Sequence, residues 1–252
     1  MLDHQLMPSK ETTSNFIRYF SEFRRMLIHT VILFFVTFLC LAPFSKYIYA
    51  FLARPLQSKL PVNAHMIATD ITSTFVAPFK LVFFVSVALL IPFIFFKIYS
   101  FLKSALYLNE KKVFFIFFPI SILLFYTGVS LGYFFILPKV LGFFIGIAPE
   151  TVVPMTDINQ YLMFCIKFFL VLGFVFQLPL ITVILIYFNV VERETLKSKR
   201  PYIFVICFFI AMFITPPDIL SMAIAGCFMY LLFELGLIFA SLMMMLNKRN
   251  MS

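Results

Sequence analysis

Six apolar runs of membrane-spanning character divide the chain, and short polar connections rich in Lys and Arg separate them. Long runs with few charges read as transmembrane helices; here they fall at about 26–43, 75–96, 113–137, 161–187, 202–215 and 219–242. The fifth, about 14 residues at ~1.5 Å each, reaches only ~21 Å against a hydrocarbon layer of ~30 Å. A tight Thr215-Pro216-Pro217-Asp218 corner joins it to the sixth and leaves little room for either to cross a full bilayer. Pro92, Pro119 and Pro179 each fall inside a run, where a missing backbone donor bends the helix. The pattern therefore predicts an all-α, six-transmembrane-helix integral membrane protein: a concave bundle of bent helices with short fifth and sixth spans.

Ahead of the first run, Phe16, Tyr19, Phe20, Phe23 and Leu27 repeat at three- and four-residue spacing. That periodicity predicts an amphipathic helix within residues 1–25, lying along the inner membrane surface with Glu22 on its polar side.

Composition agrees with this pattern and narrows the class. The chain has 252 residues, of which 63% are apolar and 12% charged, with a mean hydropathy of +1.04. Six spans leave only short loops, so residues 1–252 read as one membrane domain. The first residues lack a basic stretch, short apolar core and cleavage site, so the first span is expected to be retained. Thirty-eight Phe and no Trp leave Tyr as the polar aromatic anchor at the interfaces.

A net charge of +9 would suggest nucleic acid in a soluble protein. Here the cations flank apolar runs, where they orient helices, so no nucleic acid is expected. Lys10, Arg18, Arg24, Arg25, Lys97, Lys103, Lys111, Lys112, Arg193, Lys197, Lys199, Arg200, Lys248 and Arg249 fall on one side, and only Lys46, Arg54, Lys59 and Lys139 on the other. Fourteen against four predicts that both termini are cytoplasmic.

Four polar residues lie within the spans: Lys80, Lys167, Gln177 and Glu234. Each Lys is within about two turns of the outer boundary and is expected to snorkel to the headgroups. An unpaired carboxylate at the depth of Glu234 costs roughly 2.5 to 3.5 kcal/mol, so Glu234 is expected to be protonated, paired or facing a polar cavity.

The residues offer little to catalysis. No nucleophile elbow, HExxH motif or phosphate-binding Gly loop is present, and His4, His29 and His65 are scattered. Cys40, Cys165, Cys207 and Cys227 sit in apolar stretches without CxxC spacing and read as small hydrophobes, so no metal or cofactor is expected. An enzyme is not expected. A proton- or ion-coupled secondary transporter or channel, using Lys80, Glu234 and the bent helices, is one alternative; a scaffold that only recruits partner helices is another. Two carboxylates on the cation-rich side stand out. Glu22 lies on the amphipathic helix, and Glu110 follows Asn109, a good N-cap, in the first turn of the third span. Each could also pair only with local cations such as Arg25 or Lys111.

The run Tyr19-Phe20-Ser21-Glu22-Phe23-Arg24-Arg25-Met26-Leu27 resembles the HLxELRxRL signature of the TatC family, the multi-span core of the twin-arginine protein translocase. Met66-Ile67-Ala68-Thr69-Asp70 is similar to that family's first outer loop, and Phe101 through Ala105-Leu106-Tyr107-Leu108-Asn109-Glu110-Lys111-Lys112 to its FxxPxLYxxER stretch. Phe125-Tyr126-Thr127-Gly128, with Tyr133-Phe134 and Pro138, resembles its third span, and Phe176-Gln177-Leu178-Pro179 its FELP motif. Lys199-Arg200-Pro201-Tyr202 resembles RRPY, and residues 215–218 the TPPD corner. The chain departs from the pattern at Gln177, where the family has Glu, and at Tyr19, Met26, Ser104 and Met222, where it has His, Arg, Pro and Gln. Lys167 has no counterpart in the pattern.

The resemblance implies a receptor for twin-arginine signal peptides on folded cargo. It would work with the single-span subunits TatA and TatB in an oligomeric complex of the bacterial inner membrane, surrounded by lipid and driven by the proton gradient. It implies that Glu22, Arg24, Phe101, Tyr107 and Glu110 bind the signal peptide, and that Pro55, Asp70 and Asp218 belong to outer loops.

Overall fold

The computed structural model describes residues 8–60, 66–105, 108–147, 155–214 and 219–249, and their side chains except at 8–20, 71, 101–105, 108–114, 214, 220–221 and 246–249. In chain order the helices are α1 (Pro8–Leu41), α2 (Ser45–Gln57), α3 (Ile71–Ala105), α4 (Leu108–Leu131), α5 (Leu137–Ile147), α6 (Ile158–Val175), α7 (Leu178–Tyr187), α8 (Arg193–Ser198), α9 (Arg200–Ile214) and α10 (Ile219–Arg249). Among the described residues, five helical stretches are long and apolar enough to cross a membrane, and the shorter apolar helix of residues 200–213 joins them. The all-α, six-run architecture follows the apolar pattern of the sequence.

The bounds differ from the sequence reading at four places, each for a local reason. The N-terminal amphipathic segment is continuous with the first span in α1 rather than a separate surface helix; neither Pro nor Gly falls between Ser9 and Leu41 to break it. The outer loop that was to hold Pro55 is largely helical, and Pro55 is buried inside α2. The third span extends to Ile147, because a single π-helical turn at Gly132–Ile136 carries α4 into α5. The expectation of a short sixth span is corrected: α10 has 31 residues, since its apolar stretch of 222–245 meets no Pro and runs on into polar Asn247, Lys248 and Arg249. The fifth helix, α9, is short as expected, at 15 residues. The corner at 215–218, with Asp218, lies outside the described residues.

Of the three prolines expected to bend helices, Pro92 and Pro119 are accommodated inside α3 and α4 without ending them. Only the fourth span breaks, between α6 and α7, with Pro179 in the first turn of α7, where its missing donor is tolerated. Past the end of α7, Asn189 takes φ 54, the left-handed geometry that closes a helix C-terminus.

Lipid is as apolar as a Leu side chain, so these helices hold together by close packing and polar ties rather than by excluding water. α10 packs along α7 and α9, α1 along α3, and α4 along α6. Gly236 of α10 lets two helix backbones approach, for a Cβ there would lie 2.9 Å from Pro179 Cα. Gly173 of α6 similarly admits the ring of Phe125 from α4. The most apolar window of α1 is unburied by the protein. That face is left to lipid.

The polar ties gather at the end of the bundle that carries α2. Tyr133 Oη donates to Phe51 O at 2.7 Å and Tyr161 Oη to Leu52 O at 2.9 Å, fixing α2 against the third and fourth spans. Asp157 caps α6, accepting from Gln160 N at 2.9 Å, and it also holds Thr69, whose backbone N and Oγ1 donate at 3.1 and 2.8 Å. Backbone bonds from Ile67 N to Thr156 O and from Ile158 N to Ile67 O complete the clasp between the two connections. The Gln160 amide first, and then the Thr69 hydroxyl and amide, hold the Asp157 carboxyl below the usual carboxylate range.

Two outcomes are expected. Gly236→Val, whose branched side chain meets backbone rather than a movable tip, lowers unfolding stability in detergent by about 1–3 kcal/mol, whereas Gly146→Ala, with open space around its Cβ, does not. Because Asp157 has a lower pKa folded than unfolded, its contribution is complete above about pH 4 and is lost as pH falls through the folded value. Thermal melts of the wild type and of Asp157→Ala should therefore differ at pH 6 to 7 and converge in acid, on the order of pH 3 or below.

Candidate functional site

At the end of the bundle opposite α2, Glu22, Arg25, Met26 and His29 follow one another at spacings of three, one and three along α1. This places them on a single helix face. That face meets α3, where Lys97 and Ser100 lie one turn apart. Together the six residues line an open pocket of about 310 Å³. The His29 ring bonds Arg25 O through Nδ1 at 2.6 Å, and the Lys97 ammonium sits 5.2 Å from the centre of the Phe93 ring. The pocket thus carries one carboxylate with two flanking cations. Arg24 is exposed and is not part of the lining; two residues from Glu22 on a helix, it faces the other side.

Among the other residues expected to bind a signal, Phe101 falls in α3 and Glu110 in the first turn of α4, with side chains outside the described set; Tyr107 lies outside the described residues altogether. Topology still places them. α3 runs down to this end and α4 starts from it, so the backbones at 101 and 110 lie at the same end as Glu22.

Three of the four polar residues within the spans are met by protein. Glu234 of α10 accepts from Arg200 at 2.7 Å and from Tyr230 Oη at 2.8 Å, which fulfils the paired option among those expected. Arg200 opens α9, so this contact ties the last two spans together. Gln177, 6% exposed, accepts from Ser121 Oγ at 2.8 Å and donates through Nε2 to Ser121 O at 2.9 Å. The arrangement matches a neutral amide, with one acceptor and one donor facing one donor and one acceptor. Lys80 is exposed and donates to Asn159 Oδ1 at 3.2 Å, reaching the first turn of α6 as a snorkelling side chain should. Lys167 is exposed on α6, and Asp70 is exposed just before α3.

Arg200 and Asp157 are among the contributors that escaped the sequence reading. Arg200 was counted only as a loop cation, and nothing local to it announces a partner thirty-four positions away. Asp157 did carry a signal: Asp157-x-x-Gln160 directly before an apolar run is the pattern of a helix start. Among the described residues no group of His, Cys, Asp or Glu is placed to hold a metal ion.

A family model described as Sec-independent protein translocase protein (TatC) matches residues 18–227. Proteins of that description from Azotobacter chroococcum mcd 1 and Escherichia coli (strain K12) are 37% and 38% identical to this chain. The first alignment covers 93% of this chain and 92% of the relative, the second 92% and 90%. The fold resembles the crystal structure of the twin-arginine translocase receptor TatC, with a TM-score of 0.78 at 28% identity over 89% of this chain and 98% of that one.

The Arg200–Glu234 contact yields a double-mutant prediction. Arg200→Ala leaves the Glu234 carboxylate with Tyr230 alone and should destabilise the detergent-solubilised protein by about 1–3 kcal/mol. Adding Glu234→Gln to it should recover part of that loss, read as a non-additive cycle in thermal melts.

Proposed function

Since this chain belongs to the TatC family and is a core subunit of the twin-arginine protein translocase, we propose that the Glu22 end of its bundle is where twin-arginine signal peptides of folded cargo bind. The observation that carries the proposal is the Glu22 pocket on α1 and α3, open and of a size to admit a long side chain. A guanidinium is planar and permanently charged, so a carboxylate can hold it through two parallel hydrogen bonds. Glu22 grips one arginine and Glu110, at the start of α4, the other. Phe101 and Tyr107 shape the patch between them, and Arg24 contributes from the outer side of α1. The apolar part of the signal then enters the concave wall made by the bent spans. Arg25 and Lys97 beside Glu22 compete for its carboxylate, so an incoming arginine prevails over a lysine only through the two parallel hydrogen bonds its fork can make.

The chain works as one membrane unit over residues 1–252, in the bacterial inner membrane with both termini cytoplasmic. The fourteen-to-four distribution of cations supports that orientation. TatA and TatB are its single-span partners in an oligomeric complex that uses the proton gradient, and Pro55, Asp70 and Asp218 lie toward the outer face. Pairing of Glu234 with Arg200 argues against a solute pathway built on that carboxylate.

Glu22→Ala and Glu110→Ala should each weaken binding of a twin-arginine signal peptide by about tenfold to a hundredfold, the weight of a hydrogen bond to a charged group. A Lys-Lys peptide should bind the intact protein as poorly. Titration of a fluorescently labelled signal peptide onto the detergent-solubilised protein makes the measurement, and equal binding in all three cases refutes the assignment.

A further inference from the structure

A second cavity of about 530 Å³ lies far from the Glu22 pocket, between α3 and α6 with Phe38 of α1 at its edge. Its volume is within the ~300–1,000 Å³ range of small-ligand sites. Its walls are apolar, from Phe79, Phe83 and Val87 on one side to Met163 and Leu170 on the other, and the one charged residue among them is Lys80. The Lys80 ammonium reaches Asn159, the second residue of α6, and so sits at the level where α6 enters the apolar layer. Asn159 spends its carbonyl oxygen on Lys80, and its amide N–H groups make no hydrogen bond among the described residues. Lys167, four positions after Met163 on the same face of α6, is exposed beside the groove. No carboxylate lines it, and Asp157 close by is engaged with Gln160 and Thr69.

We infer that this groove holds an acyl chain of an anionic glycerophospholipid, with the lipid phosphate at Lys80 Nζ and the Asn159 amide. The polar groups lie at one end and the apolar walls below them, the layout of an amphiphile with a single anionic head. Lys167 adds positive charge along the same face. A partner transmembrane helix fits less well, since helix pairs in lipid approach through Gly, Ala, Ser and Thr. None of the groove's lining residues is of those types.

Native mass spectrometry of the full chain in detergent, titrated with phosphatidylglycerol or phosphatidylcholine of matched acyl chains, tests the inference. The wild type should retain one phosphatidylglycerol in preference to phosphatidylcholine. Lys80→Gln should reduce that preference about fivefold, the weight of one lysine at an anionic surface, and Lys80→Arg should keep it. Asn159→Asp, which leaves the Lys80 contact in place but sets a negative charge against the phosphate, should lose the preference even if Lys80→Gln fails to fold. Val87→Phe, which fills the groove, should lower retention of both lipids. Any of three results overturns the assignment: equal lipid preference in wild type and Asn159→Asp, displacement of phosphatidylglycerol by soluble glycerol phosphate, or photocrosslinks from Phe83 and Met163 to a co-expressed single-span subunit in place of lipid.

Discussion

A polar group inside the apolar layer finds no water, so it must meet another part of the protein or reach the surface. Much of this structure follows from that constraint. Gln177 closes on Ser121 across α4 and the break in the fourth span. Glu234 draws the first residue of α9 against α10. Tyr161 and Tyr133 turn their hydroxyls to the carbonyls of α2 and so fasten a helix that follows the first span. Each tie joins elements distant in sequence. Together they act as fixed points around which apolar side chains, themselves indifferent between lipid and protein, take their places.

These ties leave the two ends of the bundle different in character. At the α2 end the connections before α3 and before α6 are clasped by Asp157 and by backbone bonding between residues 67 and 156–158. At the other end the pocket on α1 and α3 is open and charged. α1 gains little support from the rest of the molecule, touching chiefly α3. The residues proposed to meet an incoming peptide therefore stand on a helix that packs chiefly on one side, against α3, while the clasped end holds the spans in register.

Much of the architecture was legible because membrane helices advertise themselves by length and apolarity, and the order of motifs from Glu22 to the 215–218 corner followed the family throughout. What escaped was of two kinds. Some features depend on contacts between distant positions: the Arg200 partner of Glu234 and the Ser121 partner of Gln177 have no local signature. Others turn on continuation rather than identity. Nothing in the composition of α2 separates a short helix from a loop, and the apolar run of 222–245 ends too gradually to show that α10 continues to Arg249. The sequence did not tell which proline ends a helix: α3 and α4 run on through Pro92 and Pro119, and the fourth span breaks where Pro179 opens a new helix. At the proposed peptide site, Glu22 was singled out from helix periodicity and family resemblance, whereas the part of Lys97 in the same pocket needed the packing of α3 against α1.

The Arg200–Glu234 bridge also bears on biogenesis. A 15-residue α9 is a weak insertion signal by itself, and α10 carries a carboxylate that resists entry into the bilayer on its own. Held together, each supplies what the other lacks: the guanidinium neutralises the acid, and the longer helix carries the shorter one in. The last two helices are therefore best laid down as a hairpin in one concerted event once synthesis of α10 is complete.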